Sequence, residues 1–320
     1  MPDPNLLITS VAKKVSLVKA FVKEAAVAGI KVYGTDASKD AVALYFCNAF
    51  FLLPYRSDTK FLPQLIAACQ QHQIGYLLPT SDSELLYFAE HRSTLAENKI
   101  QVLMSANSTL KTCISKLAFN KHCIQHQLPL PQNYTSLETA NYPLVIKQEF
   151  SQATQGVHKL ATLAEAQQLV KNFPNPNYLI QEFVEEQEYS IDAFFDAQGK
   201  LIQALARSRD QISEGESVIS TSIDLPELVQ LVEKLGQTLN FFGHLIVQAF
   251  YHQGQIKLVE VNPRFGGASA LALAAGLNSP KWLVEHITGK PLHPVQPLSY
   301  GLKLLRYSTD YFLSPENKSN

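Results

Sequence analysis

Short apolar runs alternate with longer amphipathic segments along residues 5–104. The short runs are rich in leucine, isoleucine, valine and tyrosine, whereas the longer ones repeat apolar residues every three or four positions. The first pattern is typical of buried strands and the second of helices that pack on them, so the alternation predicts a parallel, doubly wound sheet. The strand runs are NLLITS, KVYGTD, IGYLLPT and IQVLM, and the helical segments include LVKAFVKEAAVAG and FLPQLIAACQQH.

Polar residues follow the predicted strands of this sheet at the point where each strand ends. Open α/β sheets bind ligands beside the carboxyl ends of their strands, so this edge is a candidate binding edge. The first strand is not followed by G-x-G-x-x-G, which argues against a dinucleotide oxidoreductase. The polar residues at the strand ends are Thr9, Ser10, Asp36, Thr80, Ser81 and Asp82.

The pattern changes beyond a helical segment that stops at Pro129 and Pro131. The strand runs YPLVIKQ, YLIQEFV, EYSIDAFFD and KLIQALARS then follow one another, before a helix in LPELVQLVEKLGQTLN and a hairpin in HLIVQAFYHQGQIKLVEVN. Consecutive strands of this kind predict an α+β unit with antiparallel sheets. We therefore place a boundary near residue 112, which gives a first domain over 1–112, a second over 113–312 and a tail over 313–320.

Composition and charge restrict the classes of partner. The chain has 320 residues, of which 46% are hydrophobic and 17% charged, so it can form two domains with sizeable cores. Its formal net charge is -1 and its basic residues are scattered, which argues against nucleic acid and anionic membranes as partners. Four cysteines without C-x-x-C spacing, no signal peptide and no membrane-length apolar run predict a soluble, cytoplasmic protein that binds small molecules.

The end of the predicted hairpin carries polar side chains on one face. Residues two apart in a strand share a face, so Glu260 and Asn262 project together. If the turn is the three-residue Gln253-Gly254-Gln255, then Gln248 lies opposite Glu260 and joins them. One carboxylate and two amide oxygens suit Mg²⁺, which keeps waters and binds substrate phosphates. For any one of these residues alone, the alternative is a solvated strand end that happens to be polar.

The stretch QAFYHQGQIKLVEVNPRFGG resembles the C-terminal signature of the ATP-grasp superfamily, in particular its carbamoyl-phosphate-synthase-like branch. The resemblance implies that Gln248, Glu260 and Asn262 are the metal ligands and that Arg264 is the catalytic arginine that contacts the phosphate. LLITSVAKKVSLVKAF and LLPTSDSEL are similar to the pre-ATP-grasp domain. The implied architecture is a Rossmann-like, parallel-sheet domain followed by a two-subdomain ATP-grasp fold, whose lid subdomain spans about 130–183.

The resemblance also implies a site for ATP ahead of the hairpin. Lys147, which ends YPLVIK, and Lys116, in TCISKLAFNKHC, match the family's phosphate-binding lysines, although Ser115 stands where the family usually has aspartate. YLIQEFVEEQEYSIDAF resembles the hinge that binds adenine and ribose. The alternatives are lysines at an exposed strand end and on a helix surface, and an acidic surface turn. The hinge residues are Glu182, Phe183 and Val184 for adenine and Glu188 for the ribose hydroxyls.

In the family, a mobile loop rich in glycine covers the triphosphate after the first lysine. The corresponding sequence here is QEFSQATQGVHKL, in which Gly156 is the one glycine. Gln148 and Glu149 also stand where a Pro-Arg-like pair is frequent. Further along the chain, Arg207 and Arg209 resemble catalytic-site residues that border the phosphates and the second substrate, and the alternative is two arginines on a surface strand.

Together these residues predict an ATP- and Mg²⁺-dependent ligase that activates a carboxylate as an acylphosphate for attack by an amine or a similar nucleophile. Small-molecule carboxylates and amines are the expected partners, and a homodimer would fit the family. The glycine-poor loop favours an alternative, which is a regulatory protein that binds ATP or ADP without catalysis. The sequence contains neither a Walker-type phosphate loop nor a G-x-S-x-G element.

Overall fold

The computed structural model describes residues 4–150, 156–173, 177–213 and 215–314. The N-terminal part of the chain contains β1 (Asn5–Thr9), β2 (Val32–Asp36), β3 (Ala49–Leu52), β4 (Ile74–Leu78) and β5 (Gln101–Val102). These strands form the predicted parallel sheet, in the order β3-β2-β1-β4-β5. The predicted strands do not include β3, a four-residue strand at the edge of the sheet with no buried residue.

Helices pack on both faces of this sheet. Alternate residues of β1 point to opposite faces, so Leu6 and Ile8 join one core while Leu7 joins another. Helix α1 covers the first face with apolar residues spaced at three and four positions. A 3-10 helix also joins the first core, through Ala43 and Leu44, whereas α2 to α5 contribute residues to the other core. The helical elements are α1 (Val15–Val27), a 3-10 helix (Val42–Phe46), α2 (Phe61–Gln71), α3 (Asp82–Glu90), α4 (Arg92–Glu97) and α5 (Asn107–Ile114).

A small antiparallel sheet follows, within the predicted lid subdomain. Its core includes Leu144 and Ile146, which alternate with outward-facing residues, together with Ala166 of the covering helix. Helix α6 (Lys116–Gln125) precedes the sheet and α7 (Leu163–Lys171) covers it. The strands are β6 (Asn133–Tyr134), β7 (Leu144–Gln148), β8 (Val157–Leu160) and β9 (Tyr178–Glu182), and they lie in the order β6-β9-β7-β8.

The largest sheet is also antiparallel, so the predicted α+β architecture of this half is confirmed. Helix α8 (Pro226–Leu239) buries a continuous apolar stripe against it. The strands are β10 (Glu188–Phe195), β11 (Leu201–Ser208), β12 (Gln211–Ser213), β13 (Glu216–Ile223), β14 (Gly243–His252), β15 (Gln255–Asn262) and β16 (Lys303–Leu305). Their order is β12-β13-β11-β10-β14-β15, with β16 also paired to β13, and α9 (Ser269–Ala274) and α10 (Ser279–Ile287) follow the hairpin.

The β14–β15 hairpin differs from its predicted geometry in one respect. The predicted three-residue turn is wrong: the turn has two residues, Gln253 and Gly254, both with positive φ (47° and 83°). This turn alone would pair Gln248 with Val259. A bulge between Gln248 and Ala249 shifts the register by one residue, so Gln248 pairs with Glu260 after all. The predicted pairing is therefore confirmed, although its cause is the bulge.

The predicted boundary near residue 112 lies inside α5, and the division into domains stays a prediction. The four cysteines are free thiols, three of them buried, in agreement with core packing. Among the described residues, no helix is both long enough and apolar enough to cross a membrane. Most of the predicted tail, from residue 315 onward, lies outside the described residues.

Candidate functional site

The side chains of Gln248, Glu260 and Asn262 converge at the end of the hairpin that lies away from its turn. Asn262 Nδ2 donates hydrogen bonds to Gln248 Oε1 at 3.1 Å and to Glu260 Oε1 at 3.0 Å. The acceptor oxygens of Gln248 and Glu260 therefore both point at the amide nitrogen of Asn262, whose hydrogens carry partial positive charge. The predicted common face is confirmed, since these side chains contact one another instead of facing apart.

This cluster differs from a typical protein metal cage in its donor types. Among the described residues, no group of three or more His, Cys, Asp and Glu side chains could hold a metal ion. The hairpin cluster supplies a single carboxylate, from Glu260, and the amide oxygens of Gln248 and Asn262. Such a set fits a hard divalent cation that also binds water and phosphate oxygens, because the protein alone provides too little negative charge.

Two lysines approach the same carboxylate from other elements. Lys116 Nζ, at the start of α6, lies 3.8 Å from Glu260 Oε2. Lys147 on β7 is only 9% exposed, and its ammonium makes no hydrogen bond or ion pair with a described residue. Burial lowers the pKa of Lys147, whereas the Glu260 carboxylate raises it. A buried cation with such incomplete compensation is costly unless an anion joins it.

Helix α6 presents Lys116 through its N-terminal cap. The Ser115 hydroxyl accepts a hydrogen bond from the Ala118 backbone N–H at 3.1 Å and donates one to Glu149 Oε1 at 2.6 Å. Serine and aspartate are both strong N-cap residues, so the replacement of the family's usual aspartate keeps the start of the helix. The cap also ties α6 to the end of β7, beside Lys147.

Glu188, the predicted ribose acid, lies directly beside the hairpin cluster. Its Oε1 accepts a hydrogen bond from Gln248 Nε2 at 2.6 Å and lies 3.3 Å from Arg209 Nε, an ion pair without hydrogen-bond geometry. Burial raises the pKa of Glu188, and Arg209 opposes that shift without cancelling it. The structure therefore brings Glu188 and Arg209 together with the hairpin cluster.

The predicted adenine hinge runs from the end of β9 toward β10. Glu182 does not face the hairpin cluster: its carboxylate accepts a hydrogen bond from the Gln132 backbone N–H and pairs with Lys257 Nζ at 3.1 Å. The Phe183 ring lies under the Lys159 ammonium, 3.5 Å from the ring centroid. Among the described residues, the backbone N–H of Val184 has no hydrogen-bond partner, so it remains available to a ligand.

The predicted lid loop is only partly described. Gly156 has a positive φ of 73° and its carbonyl accepts a hydrogen bond from the Gln148 backbone N–H. Residues 151–155, which include the small side chains of this loop, lie outside the described residues. The role of Gly156 in covering a triphosphate stays a prediction.

Arg264, which follows the hairpin, binds the edge of the parallel sheet. Its Nε and Nη2 donate to the two carboxylate oxygens of Asp82, both at 2.6 Å, and its Nη1 donates to the Phe265 carbonyl at 3.1 Å. Burial disfavours the charge of Arg264, but Asp82 outweighs it and raises the pKa of the guanidinium. Asp82 is among the predicted strand-end residues, yet its pairing was not foreseen, because 182 positions separate it from Arg264.

Arg207 lies in a closed network within the largest sheet. It is 3% exposed, and its Nε donates to Asp192 Oδ2 at 2.7 Å. The other oxygen of Asp192 accepts hydrogen bonds from Ser269 and from His244 Nε2, and no part of this carboxylate is exposed. Arg207 therefore pairs with Asp192, whereas Arg209 pairs with Glu188 further along the same face of β10. Contact between Arg207 and a phosphate stays a prediction.

Two family models match separate parts of the sequence. Residues 6–103 match the description "PylC-like, N-terminal domain". Residues 174–308 match "ATP-grasp in the biosynthetic pathway with Ter operon". The first match covers the parallel sheet, and the second covers most of the largest sheet, including the hairpin cluster.

Curated relatives are similar over about two thirds of the chain. The carbamoyl phosphate synthase large chain of Caldanaerobacter subterraneus is 22% identical over 220 residues, which are 62% of this chain and 20% of the relative. Phosphoribosylamine–glycine ligase of Haemophilus influenzae is 23% identical over 257 residues, which are 68% of this chain and 59% of the relative. The chain thus spans about a fifth of the length of the carbamoyl phosphate synthase chains.

Solved structures share the fold over nearly the whole chain. The biotin carboxylase domain of Hydrogenobacter thermophilus 2-oxoglutarate carboxylase has a TM-score of 0.76 at 12% identity, covering 93% of this chain and 73% of that one. N5-carboxyaminoimidazole synthetase of Staphylococcus aureus has a TM-score of 0.70 at 17% identity, covering 91% and 78%. Residues 174–308 therefore match an ATP-grasp family, and the described residues share the fold of these carboxylase and synthetase structures.

Proposed function

We propose that this protein is an ATP- and Mg²⁺-dependent ligase that joins a carboxylate to an amine or a similar nucleophile, with release of ADP and phosphate. The observation that carries the proposal is the meeting of the hairpin cluster with Lys147, a buried lysine whose charge the described residues do not fully balance. Lys116 lies at the same place, 3.8 Å from Glu260. A triphosphate with a bound cation supplies both missing partners. Its phosphates would pair with Lys147 and Lys116, and its cation with the hairpin oxygens.

The hairpin residues fit Mg²⁺ in both chemistry and placement. Gln248 Oε1 and Glu260 Oε1 already converge on the Asn262 amide, and rotation of that amide would add its own oxygen to the set. When bound there, Mg²⁺ would neutralise phosphate charge and orient the triphosphate. Two structures of the same fold support nucleotide and Mg²⁺ as ligands: the Hydrogenobacter thermophilus domain contains MgADP and the Staphylococcus aureus synthetase contains ADP.

The remaining nucleotide contacts follow from the hinge and the ribose acid. The free Val184 N–H would donate to adenine, and the Phe183 and Val184 side chains would pack near it. Glu188 would accept hydrogen bonds from the ribose hydroxyls, for which a carboxylate oxygen is a suitable acceptor. Since the Glu182 side chain is occupied by Lys257, that residue would contribute through its backbone.

The chemistry proceeds in two displacements. A carboxylate oxygen of the substrate attacks the γ-phosphorus of ATP, the bond to the bridging oxygen of ADP breaks, and an acylphosphate forms. An amine nitrogen then attacks the acyl carbon, phosphate leaves with the former carboxylate oxygen, and the amine loses a proton. Lysine and arginine charges lower the barrier mainly by positioning and by stabilising the transferring phosphoryl group.

Arg264 would contact the phosphoryl group while Asp82 holds it in place. The carboxylate of Asp82 occupies the bidentate edge of the guanidinium, so the side chain has a defined direction toward Asn262. Asp82 thereby joins the carboxyl edge of the parallel sheet to the hairpin. The substrate carboxylate would bind in the space between these two regions.

Substrate-dependent ADP release tests the proposal. A panel of carboxylates and amines is incubated with ATP and Mg²⁺, and ADP is measured by a coupled assay. We expect turnover with at least one pair, and a loss of about 100-fold or more in Glu260→Gln, a range typical for removal of one transition-state contact. The control is Glu97→Gln, because Glu97 is exposed at the end of α4.

Calorimetric titration with a non-hydrolysable ATP analogue and Mg²⁺ separates the alternatives. Absence of nucleotide binding would reject both the ligase and the regulatory protein. Binding without ADP release from any pair would favour the regulatory alternative, for which the glycine-poor sequence SQATQ is the supporting observation. A homodimer stays a prediction that sedimentation can test, and the biotin carboxylase relative is described as a dimer.

A further inference from the structure

A cavity lies away from the hairpin, between the parallel sheet and the largest sheet. Its volume is about 550 Å³ and its lining shares no residue with the candidate nucleotide and metal site. One wall comes from α4 and β5 and includes Ile100 and Met104. The opposite wall comes from Phe241, Phe242 and the last turn of α10. The size suits a small organic ligand.

The cavity is apolar in its walls and positive in its charge. Ile100, Met104 and Phe241 are each less than 5% exposed, and the Phe242 ring packs on His286 with 5.0 Å between centroids. Arg92 and Lys99 line the cavity, whereas none of the described residues that line it is acidic. An apolar surface with cations and no carboxylate favours an anion over a cation or a zwitterion.

The positive charge of Arg92, in the lining of this cavity, is only partly balanced by the protein. Its Nη2 donates to the carbonyls of Met104 and Ser105 at 3.3 and 2.6 Å. Its Nε is buried without a hydrogen-bond partner, and Arg92 forms no ion pair with the described carboxylates. Burial lowers the pKa of Arg92, which reflects the cost of an unpaired guanidinium. Carbonyl dipoles reduce that cost only partly, and a carboxylate or phosphate would reduce it further.

From these features we propose that the cavity binds an organic anion with an apolar body, whose acidic group pairs with Arg92 and whose body packs on Phe242 and Met104. Gln101 of one wall and His286 of the other approach each other to 3.5 Å through their Nε2 atoms, and they offer hydrogen bonds to polar substituents. This site is separate from the proposed catalysis and does not depend on it.

A bound anion would also affect the contact between the two sheets. Beside the cavity, the Ser105 hydroxyl donates to the Phe242 carbonyl at 3.3 Å and accepts from its N–H at 3.0 Å. A ligand that contacts both walls binds the docked arrangement more tightly than a separated one. The site is therefore placed to act as an effector site for any activity that requires the two sheets to stay together.

Saturation-transfer NMR and calorimetry with three matched probes test the proposal. The probes are phenylacetate, phenyl phosphate and 2-phenylethanol, and the full-length chain is used in each titration. We expect at least one anion to bind the wild type at least tenfold more tightly than the neutral alcohol. The carboxylate and phosphate arms identify which acid the site takes.

Two variants locate the binding. Arg92→Gln removes the charge, and Ala96→Trp fills the cavity while Arg92 stays; each is expected to weaken anion binding at least tenfold. Glu260→Gln should leave it unchanged. Circular dichroism checks that the variants fold. If Arg92→Gln does not fold, Ala96→Trp still tests whether the anion binds in the cavity. The proposal is overturned if neither anion binds, if the alcohol binds equally well, or if Ala96→Trp binds the anion like the wild type.

Discussion

Two clusters of charged residues lie on neighbouring strands of the same sheet, and they differ in how their charges are balanced. In the closed network, Asp192, Arg207 and His244 are each less than 5% exposed and are bonded to one another through the Asp192 carboxylate. Beside the hairpin cluster, Lys147 of β7 is almost as buried but has no bonded partner among the described residues. The charges of the closed network are therefore paired within the protein, whereas the charge of Lys147 beside the hairpin cluster is only partly balanced.

The difference separates structure from ligand binding. A buried pair whose hydrogen bonds are satisfied stabilises one arrangement of the strands, and removal of one partner leaves an uncompensated charge. A buried cation without a partner costs stability, and proteins tolerate such a cost where a ligand later supplies the counter-charge. Replacement of the cation by methionine should therefore lower the stability of the protein at Arg207 and raise it at Lys147.

The largest effect is expected in the closed network. Arg207→Met should lower the free energy of unfolding by about 3–5 kcal/mol, because Asp192 then lies buried without its cation. Urea unfolding followed by circular dichroism measures this change. Arg209→Met is the matched control, since Arg209 lies at the partly exposed end of the same segment. Equal stability of Arg207→Met and the wild type would contradict a structural role.

Asp82→Asn should weaken catalysis without removing nucleotide binding. The variant keeps a hydrogen-bond acceptor but loses the charge that orients Arg264, so we expect kcat to fall about tenfold, in line with the energy of a charge-assisted bond. Steady-state kinetics measure kcat and KM separately. The control is the exposed Asp40→Asn. A change in KM for ATP alone, with kcat intact, would contradict the positioning role.

Lys147→Met should stabilise the protein while it weakens the binding of ATP. Removal of a poorly compensated buried charge is expected to add about 1 kcal/mol to the free energy of unfolding in the absence of ligand. Unfolding curves and calorimetric titration measure the two effects. Lys171→Met, at an exposed position on α7, should change neither. A loss of stability in Lys147→Met would show that its charge is balanced within the protein.

The smallest expected effect is a pH dependence at Glu188. Burial raises the pKa of this carboxyl, so the folded state retains its proton above the pH at which the unfolded chain loses it. Its favourable contribution is present at low pH and is lost as pH rises through the raised pKa. Relative to wild type, Glu188→Gln should thus gain stability as the pH rises from about 4, where glutamate ordinarily titrates, through the raised pKa. A constant difference in Tm across this range would contradict the shift.

The sequence predicted the fold class and the residues of the hairpin cluster because both depend on local patterns. Alternating strands and helices indicated the parallel sheet, and period-two spacing placed Glu260 and Asn262 on one face. The turn was predicted wrongly because its first residue, Gln253, adopts a positive φ of 47°, which is uncommon outside glycine. The bulge that offsets the shorter turn was not predicted either. Gln248 still pairs with Glu260, since the two deviations from the expected register cancel.

The amino-acid sequence by itself determined which elements form and which chemical groups stand at their ends, because periodicity and side-chain type act over a few residues. Only the tertiary structure decided which charges meet. Arg264 binds Asp82 across 182 positions, and Arg207 pairs with Asp192 while Arg209 pairs with Glu188. Such pairings depend on distances between distant segments and on burial, and these arise only when the sheets pack against one another.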